Sequence, residues 1–341
     1  MAVRFSILFL TLFTFLNGQY PEWYYYSAYG LTGEELRTEL EEIIDDHSAQ
    51  DYDALWTHFQ TTDNLNGNVW DMYSYNPGGS SAYTYSFGTN QCGNYSGEGD
   101  CYNREHSMPK SWFNDAMPMY TDLFHLYPTD GYVNGQRGNN PFGEVGSASW
   151  TSTNGSKVGS CNYPGYSGTV FEPIDEYKGD FARTYFYMMT RYKDVANSWS
   201  SAMISGNNLS SWAENMLYTW HVNDPVDQKE EDRNNAIYTI QGNRNPFIDK
   251  PHWVEKIWGP TASITDLIDH QVHFTANQET LRLENETMYS GELKIVNMLG
   301  EVVAYTTIQK GSNTIALDGS SGVYFAQLML NNQLISYQFI K

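Results

Sequence analysis

The sequence predicts an α+β unit, mainly helical around a small sheet, followed by a small all-β unit. Apolar residues recur at helical spacing through the first two thirds of the chain, with Gly- and Asn-rich segments between them. From about residue 261 the pattern changes to short strand-like runs separated by regular Gly, Ser and Asn turns. The 341 residues exceed a typical domain of about 100–200 residues. We therefore expect a large domain over residues 19–260 and a small one over residues 261–341.

The first residues have the pattern of a secretory signal peptide. Arg4 precedes an apolar run from Phe5 to Leu16, and the small residues Asn17 and Gly18 follow. This run is shorter than the roughly 20 residues that a membrane-spanning helix needs, and no later segment is long enough. We expect residues 1–18 to be a signal peptide and the mature protein to be an exported, soluble monomer without stable membrane insertion.

Export agrees with the use of cysteine, because thiols can pair in an oxidising compartment. Cys92 and Cys101 lie in one Gly-, Asn- and Ser-rich segment and are the expected pair. Pairings that use Cys161 stay open, as do three buried free thiols. A Cys92–Cys101 disulfide would brace the segment that follows it.

The formal net charge of −21 is unfavourable for binding a polyanion, because proteins usually bind nucleic acid through Lys and Arg. This charge argues against tight non-specific binding. It does not exclude a nuclease, which needs only local cations and a metal ion at the site. High acidity also has the simple effect of keeping a secreted protein soluble.

The large unit contains five segments with helical character. They are residues 33–46, 53–60, 180–196, 209–222 and 227–242. Val69 to Tyr73 is predicted as a strand before a long loop. Arg183, Tyr187 and Arg191 share one face of the third helix. We expect a solvated surface stripe there, with a face that follows a phosphate backbone as the alternative.

Two strings carry the candidate chemistry. The first, Asn103–Phe113, reads NREHSMPKSWF and places a carboxylate, Glu105, beside an imidazole, His106. The second, Asp122–Asn139, reads DLFHLYPTDGYVNGQRGN, in which an apolar-alternating strand runs through a turn into a polar segment. A hard oxygen ligand next to a group that accepts protons near neutral pH is typical of a nuclease.

These strings resemble the endonuclease I family, a branch of the His-Me finger (ββα-metal) nucleases. The family pattern reads R-E-H-x-x-P-x-S-W, followed by D-L-x-H-L-x-P-x-D-x-x-V-N-x-x-R-x-N. The resemblance extends from about Leu31 to Trp258 and includes the string Gln241–Phe247. It implies a His-Me finger domain that hydrolyses nucleic acid.

The resemblance also implies a site. His106 corresponds to the general base, and Glu105 and Asn134 correspond to the ligands of a divalent cation. Carboxylate and amide oxygens suit Mg²⁺, or another hard cation such as Mn²⁺ or Ca²⁺, better than Zn²⁺. Arg137 lies one helical turn beyond Asn134 and is predicted to be catalytic by holding a phosphate. Asn139 is the alternative to Asn134.

The chain departs from the family pattern at one point. Some relatives have a phosphate-binding arginine between the catalytic histidine and the second strand, whereas residues 107–133 contain Lys110 and no arginine. Either Arg137 takes that role or the phosphate is held more weakly. His125 is interpreted as structural, and so are Gln241, Asn243 and Asn245.

The last part of the chain resembles the C-terminal sorting domain of the type IX secretion system. The resemblance rests on the strings Ile295–Gly300 (IVNMLG) and Gly322–Ala326 (GVYFA) and on the terminal Ile340-Lys341. It implies that the type IX secretion machinery is a partner, and that this domain takes no part in catalysis.

The leading hypothesis is a secreted, metal-dependent endonuclease that acts on DNA, RNA or both with little sequence specificity. One alternative is a non-catalytic secreted surface-binding protein, for glycans or adhesion, in which the abundant Tyr, Trp, Asn and Gly residues bind a ligand. A second alternative, a zinc hydrolase, lacks support because the sequence has no H-E-x-x-H or C-x-x-C string.

Overall fold

The structure is a computed structural model that describes residues 21–259, 272–277, 279–285, 290–317, 321–330 and 333–341. The predicted signal peptide, residues 1–18, lies outside the described residues. The chain divides into two compact units, Met1–Gly259 and Pro260–Lys341. Each unit is described by itself.

All five segments with helical character are helices of the first unit, with ends that differ by a few residues. The α-helices are α1 (Gly33–Ile44), α2 (Leu55–Thr62), α3 (Gly131–Arg137), α4 (Lys178–Arg191), α5 (Ser211–Asn223), α6 (Gln228–Gln241), α7 (Pro246–Asp249) and α8 (His252–Trp258). Short 3-10 helices cover Glu22–Ala28, Lys110–Phe113, Met119–Thr121, Leu123–His125, Asp175–Tyr177 and Ala196–Ser198. None of the helices in the described ranges has both the length and the apolar character needed to cross a bilayer.

The strands of the first unit form small antiparallel sheets. They are β1 (Asn64–Leu65) with β2 (Asn68–Val69), β3 (Tyr102–His106) with β4 (Leu126–Asp130), β5 (Val145–Thr151) with β6 (Lys157–Cys161) and β7 (Thr169–Glu172), and β8 (Ile204–Ser205) with β9 (Asn208–Leu209). The predicted strand from Val69 to Tyr73 is wrong beyond its first residue. The Asp71 carboxylate accepts hydrogen bonds from the Tyr73 N–H and the Ser74 hydroxyl, which favours a turn.

Helix α4 runs through the core of this unit. Its residues from Lys178 to Thr190 are all buried. Arg183 is 0 % exposed, and its Nε lies 2.6 Å from Glu230 Oε1 on α6. The predicted solvated stripe of Arg183, Tyr187 and Arg191 and its alternative, a phosphate-binding face, are therefore both wrong. Helical spacing identifies residues that share a face, but it does not show whether another element covers that face.

The second unit is a small antiparallel β-sandwich, as predicted. Its strands are β10 (Val272–Ala276), β11 (Thr280–Asn285), β12 (Gly291–Asn297), β13 (Val302–Ile308), β14 (Gly311–Ala316), β15 (Val323–Leu330) and β16 (Gln333–Ile340). One sheet has the order β10-β11-β14 and the other β13-β12-β15-β16. Alternate residues of both sheets, including Leu281, Leu283, Leu293 and Ile295, meet in one core. This unit has its own core, separate from that of the helical unit.

Candidate active site

The candidate site is built on β3, β4 and α3. Strand β3 pairs with β4 in antiparallel register, with Tyr102 opposite Asp130 and His106 opposite Leu126. Helix α3 begins at Gly131, directly after β4. Side chains alternate along a strand, so Asn103 and Glu105 share one face of β3, while Arg104 and His106 share the other.

Glu105 is held in a fixed position by two donors. It is 2 % exposed, and its Oε1 accepts hydrogen bonds from the Tyr73 hydroxyl at 2.8 Å and Arg137 Nη1 at 2.5 Å. Its Oε2 accepts no hydrogen bond from any residue in the described ranges. Burial raises the pKa of Glu105, although Arg137 and Tyr73 act in the opposite direction. One carboxylate oxygen is thus anchored, and the other is left for a ligand.

Arg137 lies beneath the site rather than facing a substrate. Its side chain is 1 % exposed, and besides Glu105 it donates to the carbonyls of His106 at 2.8 Å and Ser107 at 2.5 Å. Both terminal nitrogens are therefore occupied by the protein. The interpretation of Arg137 as a phosphate ligand does not fit this position, because α3 packs against β3 and the arginine reaches inward to a buried carboxylate.

Asn134 faces β3 one turn earlier on the same helix. Its Nδ2 donates to Asn103 Oδ1 at 2.8 Å, which leaves its own amide oxygen free of that contact. Since Asn103 and Glu105 share a face of β3, this bond places Asn134 on the side of the strand that carries Glu105. Asn139, the alternative ligand, is exposed and lies beyond the end of α3.

Buried carboxylates fix the start of α3. Asp130 Oδ1 accepts a hydrogen bond from the Val133 N–H at 2.8 Å and caps the helix. Its Oδ2 accepts from the Tyr85 hydroxyl at 2.5 Å and from the Gly99 N–H at 2.8 Å. The Asp130 N–H in turn donates to Asp71 Oδ2 at 2.9 Å. The helix that carries Asn134 is therefore tied to three points of the long loop between β2 and β3.

The loop ahead of β3 is closed by a disulfide between Cys92 and Cys101, as expected, and Cys161 is a buried free thiol. Tyr95, inside the closed loop, packs against α3. A Cβ placed on Gly131 would lie 2.7 Å from Tyr95 Cδ1, so a larger residue there would displace the Tyr95 ring. The disulfide loop thus supports the helix that presents Asn134.

His106 has a defined tautomer. Its Nε2 lies 3.0 Å from the Tyr120 carbonyl, and a carbonyl can only accept, so Nε2 carries the proton and Nδ1 keeps its lone pair. Burial lowers the pKa of His106 well below its usual 6.5, and His125, Lys110 and Arg104 lower it further. The imidazole is therefore neutral at neutral pH and able to accept a proton through Nδ1.

His125 is structural, as interpreted from the sequence. It is fully buried, and its Nε2 lies 2.6 Å from the Met119 carbonyl. Its ring centroid is 5.4 Å from that of His106. Gln241 is buried as well, and its Oε1 accepts a hydrogen bond from the Leu123 N–H at 2.8 Å. Both side chains hold the segment before β4 in place.

A second group of carboxylates lies elsewhere in this unit. Oxygen atoms of Asp180, Asp227 and Glu230 approach within 4.8 Å of one another. Arg183 donates to both oxygens of Glu230, and Lys229 Nζ lies 3.1 Å from Asp180 Oδ2. Two of these three carboxylates are therefore paired with protein cations, and the third, Asp227, is exposed.

Three residues that hold the candidate site residues in place were not identified from the sequence. Asn103 had a local signal, because it lies two residues before Glu105 in a strand and so shares its face. Asp130 had one too, since an aspartate directly before a short helical segment is a typical N-cap. Tyr73 had none, because it meets Glu105 across 32 positions of the chain.

Comparisons with known proteins fit this geometry. The sequence profile of the family "Endonuclease I" matches residues 32–252. The extracellular ribonuclease of Bacillus subtilis (strain 168) is 36 % identical over 246 residues, covering 69 % of this chain and 78 % of that protein. An extracellular deoxyribonuclease of Aeromonas hydrophila is 30 % identical over 134 residues, covering 39 % of this chain and 50 % of that protein. The profile spans more than half of the chain, including every residue of the site, and the chain therefore belongs to the endonuclease I family of nucleases.

Proposed function

We propose that this protein is a secreted, metal-dependent endonuclease that hydrolyses phosphodiester bonds of DNA, RNA or both, with His106 as general base. The observation that carries the proposal is the fixed tautomer of His106. Its Nε2–H is held by the Tyr120 carbonyl, so that the basic Nδ1 is the atom left to activate a water molecule. Lowering of its pKa by burial keeps this atom unprotonated at neutral pH.

Glu105 and Asn134 are the proposed ligands of a hard divalent cation, Mg²⁺ or a substitute such as Mn²⁺ or Ca²⁺. The residues present fit this role, because Glu105 Oε2 has no partner among the described residues while Oε1 is anchored by Tyr73 and Arg137. The bond from Asn134 to Asn103 leaves the other amide atom, a hard oxygen, for a cation. When bound, the cation would neutralise charge that develops on the phosphoryl group and the leaving oxygen.

The antiparallel pair β3–β4 followed directly by α3 supports assignment to the His-Me finger, or ββα-metal, architecture. In this assignment the first strand supplies the base and one ligand, and the helix supplies the second ligand. Arg137 acts here as a positioning residue for Glu105 and for the backbone of His106, not as a group that touches substrate.

The substrate proposal covers both nucleic acids. One relative is named a ribonuclease and another a deoxyribonuclease. A site made of a base, a cation and phosphate contacts recognises what DNA and RNA share, so we propose cleavage with little sequence specificity.

We also propose export, supported by the signal-peptide pattern of residues 1–18 and by relatives named as extracellular. The second unit is proposed to be a type IX sorting domain, on the strings Ile295–Gly300 and Gly322–Ala326. If so, deleting residues 261–341 stops export while leaving specific nuclease activity intact, since each unit has its own core. Secretion of the truncated chain at the full-length level would exclude a sorting role.

The test is incubation of purified protein with supercoiled plasmid and with RNA, in Mg²⁺ or in chelator. We expect cleavage in Mg²⁺, none in chelator, and loss of cleavage in His106→Ala. His252→Ala, which changes an exposed histidine of the same unit, is the matched control and should cleave like the wild type.

Absence of cleavage by folded wild-type protein would favour the alternative of a non-catalytic surface-binding protein. Cleavage that persists in chelator would remove the cation from the proposal. Wild-type activity of His106→Ala across neutral pH would remove the base.

A further inference from the structure

Many Lys and Arg residues of the helical unit are buried and contact other protein groups. Seven of its Lys and Arg residues are buried: Arg37, Arg137, Lys178, Arg183, Lys229, Arg233 and Arg244. Buried cations of this kind hold carboxylates and carbonyls, so they cannot reach a phosphate. In a chain of net charge −21, contacts to nucleic acid must come from the cations that keep solvent access.

Two such cations lie next to His106. Arg104 is on the same face of β3 as His106, two residues earlier. Lys110 Nζ lies 5.2 Å from the centroid of Tyr120, the residue whose ring stacks on His106 at 5.1 Å. Arg104 and Lys110 are thus the cations beside His106, and Lys110 Nζ also lies 2.9 Å from Asp115 Oδ1.

Arg104 is held ready for a ligand by aromatic rings. Its guanidinium carbon lies 3.5 Å from the ring centroid of Tyr52 and 4.5 Å from that of Trp56. Nη1 donates to the Tyr52 carbonyl at 2.7 Å and lies 3.4 Å from Asp53 Oδ1. Both acceptors lie against Nη1, which leaves the donors on Nε and Nη2 for a ligand.

The carboxylate of Asp53, which pairs with Arg104, would compete only weakly with a phosphate for this guanidinium. The Asp53 side chain is 97 % exposed, whereas that of Arg104 is 16 % exposed. Ion pairs with so exposed a carboxylate contribute little, so a phosphate can replace Asp53 at small cost. The rings and the Tyr52 carbonyl already fix the guanidinium, so little side-chain entropy is lost when it binds.

The distance between Arg104 and His106 indicates which phosphate of the substrate Arg104 would contact. Side chains two positions apart on a strand are about 7 Å apart, a separation of the same order as one nucleotide step. Tyr52 bridges the two residues, since its ring also stacks toward His106 at 6.1 Å. A phosphate at Arg104 is therefore next to the one attacked at His106.

We propose that Arg104, clamped between Tyr52 and Trp56, forms a subsite for the backbone phosphate of the nucleotide adjacent to the scissile bond. This inference rests on the proposed nuclease function and gives the chain the phosphate contact that buried Arg137 cannot make. Its ligand is the phosphodiester common to DNA and RNA.

The test compares substrates with one and two phosphates. A dinucleoside monophosphate has only the scissile phosphate, whereas the same sequence extended by one nucleotide, at either end, also offers the neighbouring one. We expect Arg104→Gln to lower kcat/KM about tenfold on the better extended substrate and to leave the dinucleoside rate unchanged. Arg104→Lys, which keeps the charge and loses the fork, should fall between the two.

Arg191→Gln is the matched control. Arg191 is likewise half-buried, donates to a backbone carbonyl, that of Asp45, and lies 4.8 Å from the ring of Tyr192, but it contacts none of the site residues. It should cleave all substrates like the wild type. Affinity for a fluorescent single-stranded oligonucleotide, measured in chelator over a salt series, gives an independent reading. The log–log salt slope of Arg104→Gln should be smaller by about 0.7.

Equal loss on all substrates would overturn the adjacent subsite, because Arg104 would then act on the scissile phosphate or on folding. Wild-type kinetics and an unchanged salt slope for Arg104→Gln would also overturn it. If wild-type protein cleaves nothing, the proposed function fails, and the oligonucleotide affinities alone decide whether Arg104 binds phosphate.

Discussion

Replacing Arg137 by methionine should destabilise the helical unit strongly, because the change leaves a buried carboxylate without its cation. The side chains of Arg137 and Glu105 are 1 % and 3 % exposed, so water cannot take over the lost contact. Breaking a buried ion pair from one side costs about 3–5 kcal/mol. The His106 carbonyl also loses the Arg137 donor, and the Ser107 carbonyl keeps only the Tyr185 hydroxyl.

For a unit of this size, 1 kcal/mol corresponds to roughly 2–4 °C in Tm, so Arg137→Met should lower Tm by about 6–20 °C. Tryptophan fluorescence is a suitable assay, because all 10 Trp residues lie before residue 259 and report only on the helical unit. Arg191→Met, at a partly exposed arginine, is the control and should change Tm little.

The cause can be isolated with a second substitution. In Arg137→Met, Glu105→Gln removes the unpaired charge, so the double variant should be more stable than the sum of the single changes predicts. The deficit of Arg137→Met should also shrink as pH falls from neutral toward the ordinary pKa of a glutamate. A carboxyl whose folded pKa is raised contributes stability at low pH and loses it as pH rises through that pKa. An Arg137→Met protein with wild-type Tm and a defect confined to nucleic-acid cleavage would refute this reasoning and restore Arg137 as a phosphate ligand.

The remaining predictions concern the base, the ligand support and the disulfide. His106→Ala should lower kcat on plasmid by about 10²–10⁴-fold. In the wild type, activity should persist below pH 6.5, because the lowered pKa keeps His106 neutral there; an acid limb above pH 6.5 in a kcat/KM profile would contradict this. Asn103→Ala should raise the Mg²⁺ concentration needed for half-maximal rate by about 10–100-fold through loss of the Asn134 contact, and an unchanged metal titration would exclude that role. Replacing Cys92 and Cys101 together by serine should lower the free energy of unfolding by about 3 kcal/mol in urea titrations, whereas equal midpoints would mean that the loop is ordered without its crosslink.

The sequence by itself indicated the family, five of the helices and three candidates for the base and metal ligands, His106, Glu105 and Asn134. Helical spacing located α1 because it buries an apolar face that includes Leu36, Leu40 and Ile44, and this periodicity can be seen in the sequence. Glu105 and His106 could be recognised as a candidate metal ligand and base because they are neighbours in the sequence. Proximity in the chain likewise favoured the pairing of Cys92 with Cys101.

Only the tertiary structure decided how deeply a side chain is buried and which residues it contacts. Arg137 and Arg183 had the spacing of surface cations, yet each is buried against a carboxylate that lies 32 or 47 positions away. Arg104 belonged to the R-E-H string without a predicted role, but folding brings Tyr52 and Trp56, from α2 and the residues before it, against its guanidinium. Periodicity gives the direction of a side chain on its own element. Whether another element covers that side chain, and with which charge, depends on contacts between distant parts of the chain, which no local pattern records.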